Sequence, residues 1–356
     1  MGKLGEVDSN FWINKKVFLT GHTGFKGSWL SLWLQSMGAS VKGFSLEPPT
    51  TPSLFKEADV SNSMDSEIGD IRDLIKLQAS MKKFNPDILI HMAAQPIVRY
   101  SYHNPVETYS TNVMGTVNVL ESARGCFNLK AIVSVTTDKC YENHEWVWGY
   151  RENEPMGGHD PYSSSKGCAE LVTAAYRRSY FHMPESASVA SARAGNVIGG
   201  GDWATDRLVP DILRAFERNE EVIIRNPYST RPWQHVLEPL SGYLVLAQQL
   251  YMEGDEYAES WNFGPLDEDC KSVEWILDRM VKSWGDSASW KQDTKNNPHE
   301  AGFLKLDCSK AASRLQWKPK WRLDYTLKQI VAWQRLWLEK GNVKEQCFQE
   351  ITEYMK

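Results

Sequence analysis

The sequence predicts an α/β fold: a doubly wound parallel sheet with a smaller, interleaved C-terminal lobe. Three observations predict it. Short apolar runs alternate with helical stretches of ten or more residues, the pattern of a parallel sheet covered on both faces. The first such run ends in a glycine-rich turn that feeds a helix. The C-terminal third breaks the alternation, with helices, single strands and irregular Trp- and Pro-bearing pieces. In such a sheet ligands sit beyond the carboxyl ends of the strands, so function is sought there.

The elements follow in order. Residues 17–20 (VFLT) form a strand, 28–38 (SWLSLWLQSMG) a helix stopped at Gly38, and 40–46 (SVKGFSL) a second strand. Further strands are predicted at 87–91, 131–135 and 188–193, with helical stretches at 112–125 and 166–180. The segments after Thr20, His91, Val135 and Arg193 are therefore the ones that carry chemistry. Later come a helix at 272–284, a strand at 221–225 and the irregular 316–321. No internal repeat and no low-complexity linker is visible.

Composition sets the bounds. The chain has 356 residues, 40 Lys+Arg against 45 Asp+Glu, and a net charge of −5. That balance argues against broad nucleic-acid or anionic-membrane binding. No apolar run approaches a membrane span, and the first residues carry no signal-peptide pattern. Cys126, Cys140, Cys168, Cys270, Cys308 and Cys347 are irregularly spaced, so neither a disulfide framework nor a metal site is expected. Together these features predict a cytoplasmic protein.

After the first strand, Gly21, Gly24 and Gly27 lie in GHTGFKG, between predicted strand and predicted helix. Backbone N–H groups in such a turn approach a pyrophosphate, and the helix dipole favours the anion. Phe25 and Lys26 complete the turn, and His22 is placed to touch the pyrophosphate or to face solvent. The G-x-x-G-x-x-G spacing resembles that of the extended short-chain dehydrogenase/reductase family. The second strand ends near Ser45, with Glu47 beyond and no Arg following for a 2′-phosphate, which favours NAD. Asp70 and Ile71 suit an adenine edge. Ala93 and Ala94, with Gln95, let a dinucleotide lie against the backbone, and Asn112 is assigned to the same cofactor.

Tyr162 and Lys166 form Y-x-x-x-K at the start of a helix, on one face. A free phenol with a pKa of about 10 is a poor base at neutral pH. A neighbouring ammonium and a positive nicotinamide would lower it. Thr137, Asp138 and Lys139 follow the central strand 131–135. A simple dehydrogenase needs only the hydroxyl there, so the acid and the amine imply a second chemical step.

The segments TTDKCYENHEWVWGYRE, DPYSSSKGCAEL, ARAGNVIGGGDWATDRLVPD and RPWQHVLEPL resemble the CDP-glucose 4,6-dehydratase group of that family, over nearly the whole chain. The resemblance implies NAD as cofactor, CDP-D-glucose as substrate, and deoxysugar biosynthesis for surface polysaccharide. It implies that Tyr162 takes the proton of the carbon-4 hydroxyl while Thr137 holds that oxygen. Lys139 would take the carbon-5 proton and Asp138 protonate the leaving carbon-6 hydroxyl. Related sugar-nucleotide dehydratases resemble one another in having Thr-Asp-Glu here, where this chain has Thr-Asp-Lys. Gln95, Asn196 and Leu208 are expected at the substrate, Arg207 and Arg231 at its diphosphate, with His235 assisting. Trp203 and Trp233 would line the pocket. A homodimer or homotetramer is implied, pairing through helices around 108–124 and 162–180.

The division that follows assigns residues 1–193 to a Rossmann-type NAD-binding domain, with returns near 234–263 and 302–325. Residues 194–233, 264–301 and 326–356 form the substrate-binding lobe. Other open readings are a UDP- or dTDP-sugar dehydratase, an epimerase, and a non-catalytic NAD-binding scaffold.

Overall fold

The computed structural model describes residues 3–285, 288–293 and 303–356. Stretches 286–287 and 294–302, which the sequence reading divides between lobe and domain, lie outside the described residues. The strands are β1 (Lys16–Thr20), β2 (Ser40–Ser45), β3 (Asp65–Ile68), β4 (Ile88–His91), β5 (Ala131–Val135), β6 (Ser188–Arg193), β7 (Val197–Ile198), β8 (Val222–Ile224), β9 (Thr230–Pro232), β10 (Gln234–His235), β11 (Ser260–Asn262), β12 (Cys270–Ser272) and β13 (Trp290–Gln292). The longer helices are α1 (Phe25–Ser36), α2 (Leu74–Phe84), α3 (Gly115–Ala123), α4 (Pro161–Ser179), α5 (Leu208–Glu217), α6 (Leu237–Glu253), α7 (Val273–Trp284), α8 (Leu323–Leu338) and α9 (Val343–Met355).

Seven strands form one parallel sheet in the order β11-β6-β5-β4-β1-β2-β3. The strand order reverses between β1 and β4, which opens a crevice at their carboxyl ends. Thr20 lies opposite Phe44 and His91, and Val135 opposite Ala192. The predicted strand ends at Thr20, His91, Val135 and Arg193 are the observed ones. Each central strand is buried along nearly its full length, as double coverage by helices requires.

The catalytic-side helix α4 starts by local chemistry. Asp160 caps it by accepting from the Ser163 N–H at 2.9 Å and the Ser163 hydroxyl at 2.6 Å, and Pro161 opens the first turn. Such a cap contributes about 1 kcal/mol and fixes where Tyr162 enters the site. On the other face, α6 is buried on all sides from Leu237 to Leu250. It therefore shows no amphipathic stripe to read in the sequence.

The lobe has its own core, built by Val209, Ile212, Leu213 and Phe216 of α5, Ile276, Leu277 and Met280 of α7, and Leu327 and Ile330 of α8. Three strand pairs frame it: β7–β10, β8–β13 and β9–β12. The assignment of all of 326–356 to the lobe is corrected by α9. Val343, Cys347, Ile351 and Tyr354 join the main core beside Trp33 of α1, because a second apolar face on that side of the sheet needs covering.

Trp203 and Trp233 are also core residues rather than pocket lining. Trp203 packs on Trp333 and Trp337, with ring centres 5.7 and 5.1 Å away. The Trp233 indole donates to the Lys271 carbonyl at 3.0 Å. Beside the first group, Trp29 donates to the Gly200 carbonyl at 2.9 Å. A Cβ on Gly200 would fall 2.2 Å from the Trp333 ring. All six cysteines are free thiols.

Candidate active site

The glycine turn is built for close approach. Gly21 has φ +80°, and a Cβ there would meet Ala93 N at 2.7 Å. Gly27 lies against the Gly21 carbonyl, where a Cβ would fall 2.0 Å away. Gly24 precedes α1, whose N-terminus has no side-chain cap, so its first N–H groups remain available to an anion. Phe25 packs into the core beside Gly199, so only its backbone belongs to the turn.

His22 does not face a phosphate. Its ring is fully buried against Gly43 and Phe55, and Nε2 pairs with Ser66 Oγ at 2.7 Å. Burial, then the Lys42 ammonium, pushes it down to about 4, so it is neutral. It anchors the turn to β2 and β3. Ser45 ends β2 with its hydroxyl 2.9 Å from Thr23 Oγ1, and Thr23 donates to the Leu46 carbonyl at 2.8 Å. The Asp70 carboxylate is held by Arg72 at 2.6 Å, and Ile71 packs on Gly115.

Ala93 and Ala94 follow β4, where Thr20 Oγ1 accepts from the N–H groups of Met92 and Ala93, both at 3.1 Å. Gln95 and Asn112 hydrogen-bond to each other and to their surroundings. Asn112 Oδ1 accepts from Gln95 N at 2.8 Å, and its Nδ2 donates to Gln95 O at 3.1 Å and Ser165 Oγ at 2.9 Å. The Gln95 amide donates to Thr108 Oγ1 at 2.9 Å. Together they brace the β4 loop against α4.

Beyond β5, Thr137 donates to Asp138 Oδ1 at 2.9 Å and is hydrogen-bonded to Tyr162. Asp138 is 1% exposed, and its Oδ2 has no hydrogen-bond partner. Burial raises its pKa above the usual carboxylate range, against the pull of Lys139, Thr137 and Arg231. Such a shift favours the protonated form, the one that can donate. Lys139 is half-buried in the same turn.

In the protein alone, burial outweighs the lowering expected at Tyr162 from a neighbouring ammonium and a nicotinamide. Tyr162 is 8% exposed, and burial pushes it up to about 12, with Thr137 opposing. The Lys166 ammonium instead donates to the Val135 carbonyl at 3.3 Å. Burial lowers it to about 8. Beneath both, Glu170 and Arg193 form a buried ion pair at 2.7 Å that joins α4 to the end of β6.

Lys26 reaches farther than a cofactor-turn residue would. Its ammonium lies 5.7 Å from the centre of the Tyr243 ring. Burial, then Lys166 and Arg207, lowers it to about 7, while Asp138 opposes. Arg207, just before α5, is paired to Asp202 at 3.0 Å and acts on Tyr162. Arg231 of β9 acts on Asp138. Asn196 takes φ +47° beyond β6, and Leu208 is half-buried at the start of α5.

His235 is not at the site. It is fully buried between Trp29 and Trp321 with Nε2 3.5 Å from Glu350, and burial holds it to about 3. The structure thus gathers Lys26, Thr137, Asp138, Tyr162, Lys166, Arg207 and Arg231, and leaves out His22 and His235. Sequence reasoning missed Asp202, which holds Arg207, and the buried, unpartnered Tyr243 hydroxyl. Asp202 lay inside a quoted motif, whereas Tyr243 carries no sequence signal.

A family model described as GDP-mannose 4,6 dehydratase matches residues 18–330. The chain belongs to that family. Within reach of this dehydratase-family chain is the CDP-glucose 4,6-dehydratase of Salmonella typhimurium, 62% identical over 353 residues, 98% of each chain. Solved structures share the fold. An epimerase from Methanothermobacter thermautotrophicus has TM-score 0.79 at 20% identity, covering 95% of this chain and 97% of its own. A dTDP-glucose 4,6-dehydratase from Bacillus anthracis, in complex with NAD, has TM-score 0.75 at 21% identity, covering 92% and 98%.

Proposed function

We propose that this dehydratase-family chain converts CDP-D-glucose to CDP-4-keto-6-deoxy-D-glucose with NAD as a regenerated cofactor. The observation that carries it is the buried Asp138 carboxyl, its Oδ1 held by Thr137 and its Oδ2 without a hydrogen-bond partner, beside Tyr162 and Lys139. A simple oxidoreductase has no use for that acid, whereas the 62% identical relative is a named CDP-glucose dehydratase.

The residues present fit NAD: the Cβ-free approach of Gly21 to Ala93 and the uncapped α1 N-terminus suit a pyrophosphate. Ser45 and Asp70 would serve the adenosine end, and Tyr162 with Lys166 the nicotinamide ribose. The bound cofactor would supply a hydride acceptor for carbon 4 and, once reduced, a hydride donor for carbon 6. Tyr162 accepts the carbon-4 hydroxyl proton once the positive ring offsets the burial that holds its phenol up, and Thr137 orients that oxygen. Lys139 removes the carbon-5 proton, made acidic by the new ketone. Asp138 donates its proton to the carbon-6 oxygen, which leaves as water. A proton then returns to carbon 5. Asn196, Leu208, Arg207 and Arg231 would hold the sugar diphosphate.

The test is incubation with NAD and CDP-, UDP- or dTDP-glucose, read by mass. Loss of one water from CDP-glucose in preference to the others is expected. Preference for dTDP-glucose overturns the assignment, and no turnover with any of them favours a scaffold.

We also infer a homodimer, or a pair of dimers, in the cytoplasm. The supporting observation is an apolar surface on helix Pro105–Tyr109 and on α4, where Val106 is 82% and Leu171 61% exposed. Among the described residues no helix is long and apolar enough to cross a membrane.

A further inference from the structure

Asp138 has a seat, and a glycine far along the chain provides it. A Cβ added to Gly195 would fall 1.8 Å from Asp138 Oδ2, 2.0 Å from its Cγ and 2.5 Å from Oδ1. All three atoms of the carboxyl therefore occupy the space that any other residue would fill. Gly195 is not among the glycines with positive φ, so its backbone does not require glycine. The demand is for room.

The wall behind the carboxyl is fixed. Gln234 Nε2 donates to the Gly195 carbonyl at 3.2 Å and to the Phe263 carbonyl at 2.9 Å, and Gln234 N donates to Asn196 O at 3.3 Å. Thr137 holds Oδ1 from the opposite side. Oδ2 is left buried and without a hydrogen-bond partner, while the charges of Lys139 and Arg231 act on the carboxyl.

We propose that Gly195 is a positioning residue: it admits the Asp138 carboxyl against the β6 end so that Oδ2 faces the departing oxygen on carbon 6. The inference rests on the dehydratase reading. It assigns Gly195 to one half of the reaction, the elimination. With the seat filled, the carboxyl must move by more than an ångström to reach ordinary contact. Proton donation depends on placement at that scale, whereas removal of hydrogen at carbon 4 depends on Tyr162 and Thr137.

The experiment compares Gly195→Ala with the parent protein, saturated with NAD, on two substrates. One is CDP-glucose. The other is CDP-6-deoxy-6-fluoroglucose, whose carbon–fluorine bond breaks to give fluoride without needing a proton. With CDP-glucose, kcat should fall about 10²-fold with KM little changed, and reduced-nicotinamide absorbance should accumulate because oxidation outruns elimination. With the fluoro sugar, fluoride release should return to within a few-fold of the parent rate. Equal loss on both substrates overturns the proposal. A second arm uses melting temperature without substrate. Gly195→Ala should lower Tm in the parent, and should lower it no further on an Asp138→Ala background, where the clashing atoms are gone. An equal Tm loss on both backgrounds overturns the seat. A parent protein inert towards CDP-glucose overturns the dehydratase reading, and the melting cycle then decides on the seat alone.

Discussion

Lys166 is charged at a cost that the fold alone does not repay. Its pKa falls from 10.5 to about 8 because burial penalises the ammonium. The unfolded chain therefore binds more protons than the folded one between about pH 8 and 10.5, and stability rises with pH across that window. Below pH 8 the full penalty stands. Lys166→Met should thus abolish turnover yet stabilise the NAD-free protein at pH 7 by up to about 3 kcal/mol, read as a Tm several degrees higher; an unchanged or lower Tm would contradict the burial account. The sequence placed Tyr162 and Lys166 on one helix face through their spacing, and that was legible. It could not show that the ammonium turns to the Val135 carbonyl. Nor could it show that Gly195 borders Asp138. Both are contacts through space between segments that only the folded sheet brings together.

At the scale of elements, the carboxyl ends of β1, β4, β5 and β6 were legible because apolar runs there stop abruptly at polar or glycine-rich segments. The edge strand β3 was not, because Asp65 and Ile68 face solvent and leave no apolar run. Helix α6 was missed for the opposite reason, being buried all round. The glycine turn was recognised by context, but His22 was misassigned: room for its ring comes from Gly43 on a neighbouring strand. Gly21 carries the strictest demand in this element, with positive φ and no space for a Cβ. Gly21→Ala should weaken NAD binding by about five- to a hundredfold, since the strain and clash are of order 1–3 kcal/mol. Titration calorimetry with NAD checks this, and parent-like affinity would remove the turn from the cofactor site.

Across the whole molecule, α9 ties the C-terminus to the sheet through buried acids. Burial raises Glu350 to about 8, and its carboxyl faces His235. A raised acid binds more protons folded than unfolded, so its contribution to stability is lost as pH rises from 4.5 towards 8. His235 acts in the opposite sense: held to about 3, it favours folding as pH rises to 6.5, and is spent above that. Between pH 6.5 and 8, Glu350 therefore dominates this pair. Glu350→Gln should reduce the decline of denaturant-measured stability over that interval, and an unchanged slope would mean the carboxyl stays ionised. The assembly has its own test. Val106→Glu with Leu171→Glu should yield monomers in sedimentation with unchanged circular dichroism; a dimer surviving both charges would place the interface elsewhere.

The tryptophans around the Gly200 segment have an optical consequence. The Trp203 ring centre stands under 6 Å from those of Trp333 and Trp337, and Trp29 is tied to the Gly200 carbonyl beside Trp333. Excitation passes readily between indoles at such separations, so the group emits as one unit. Its fluorescence therefore reports on the strand-to-lobe junction that carries Gly195 and Asp202, and a shift of that junction dims or brightens several chromophores together.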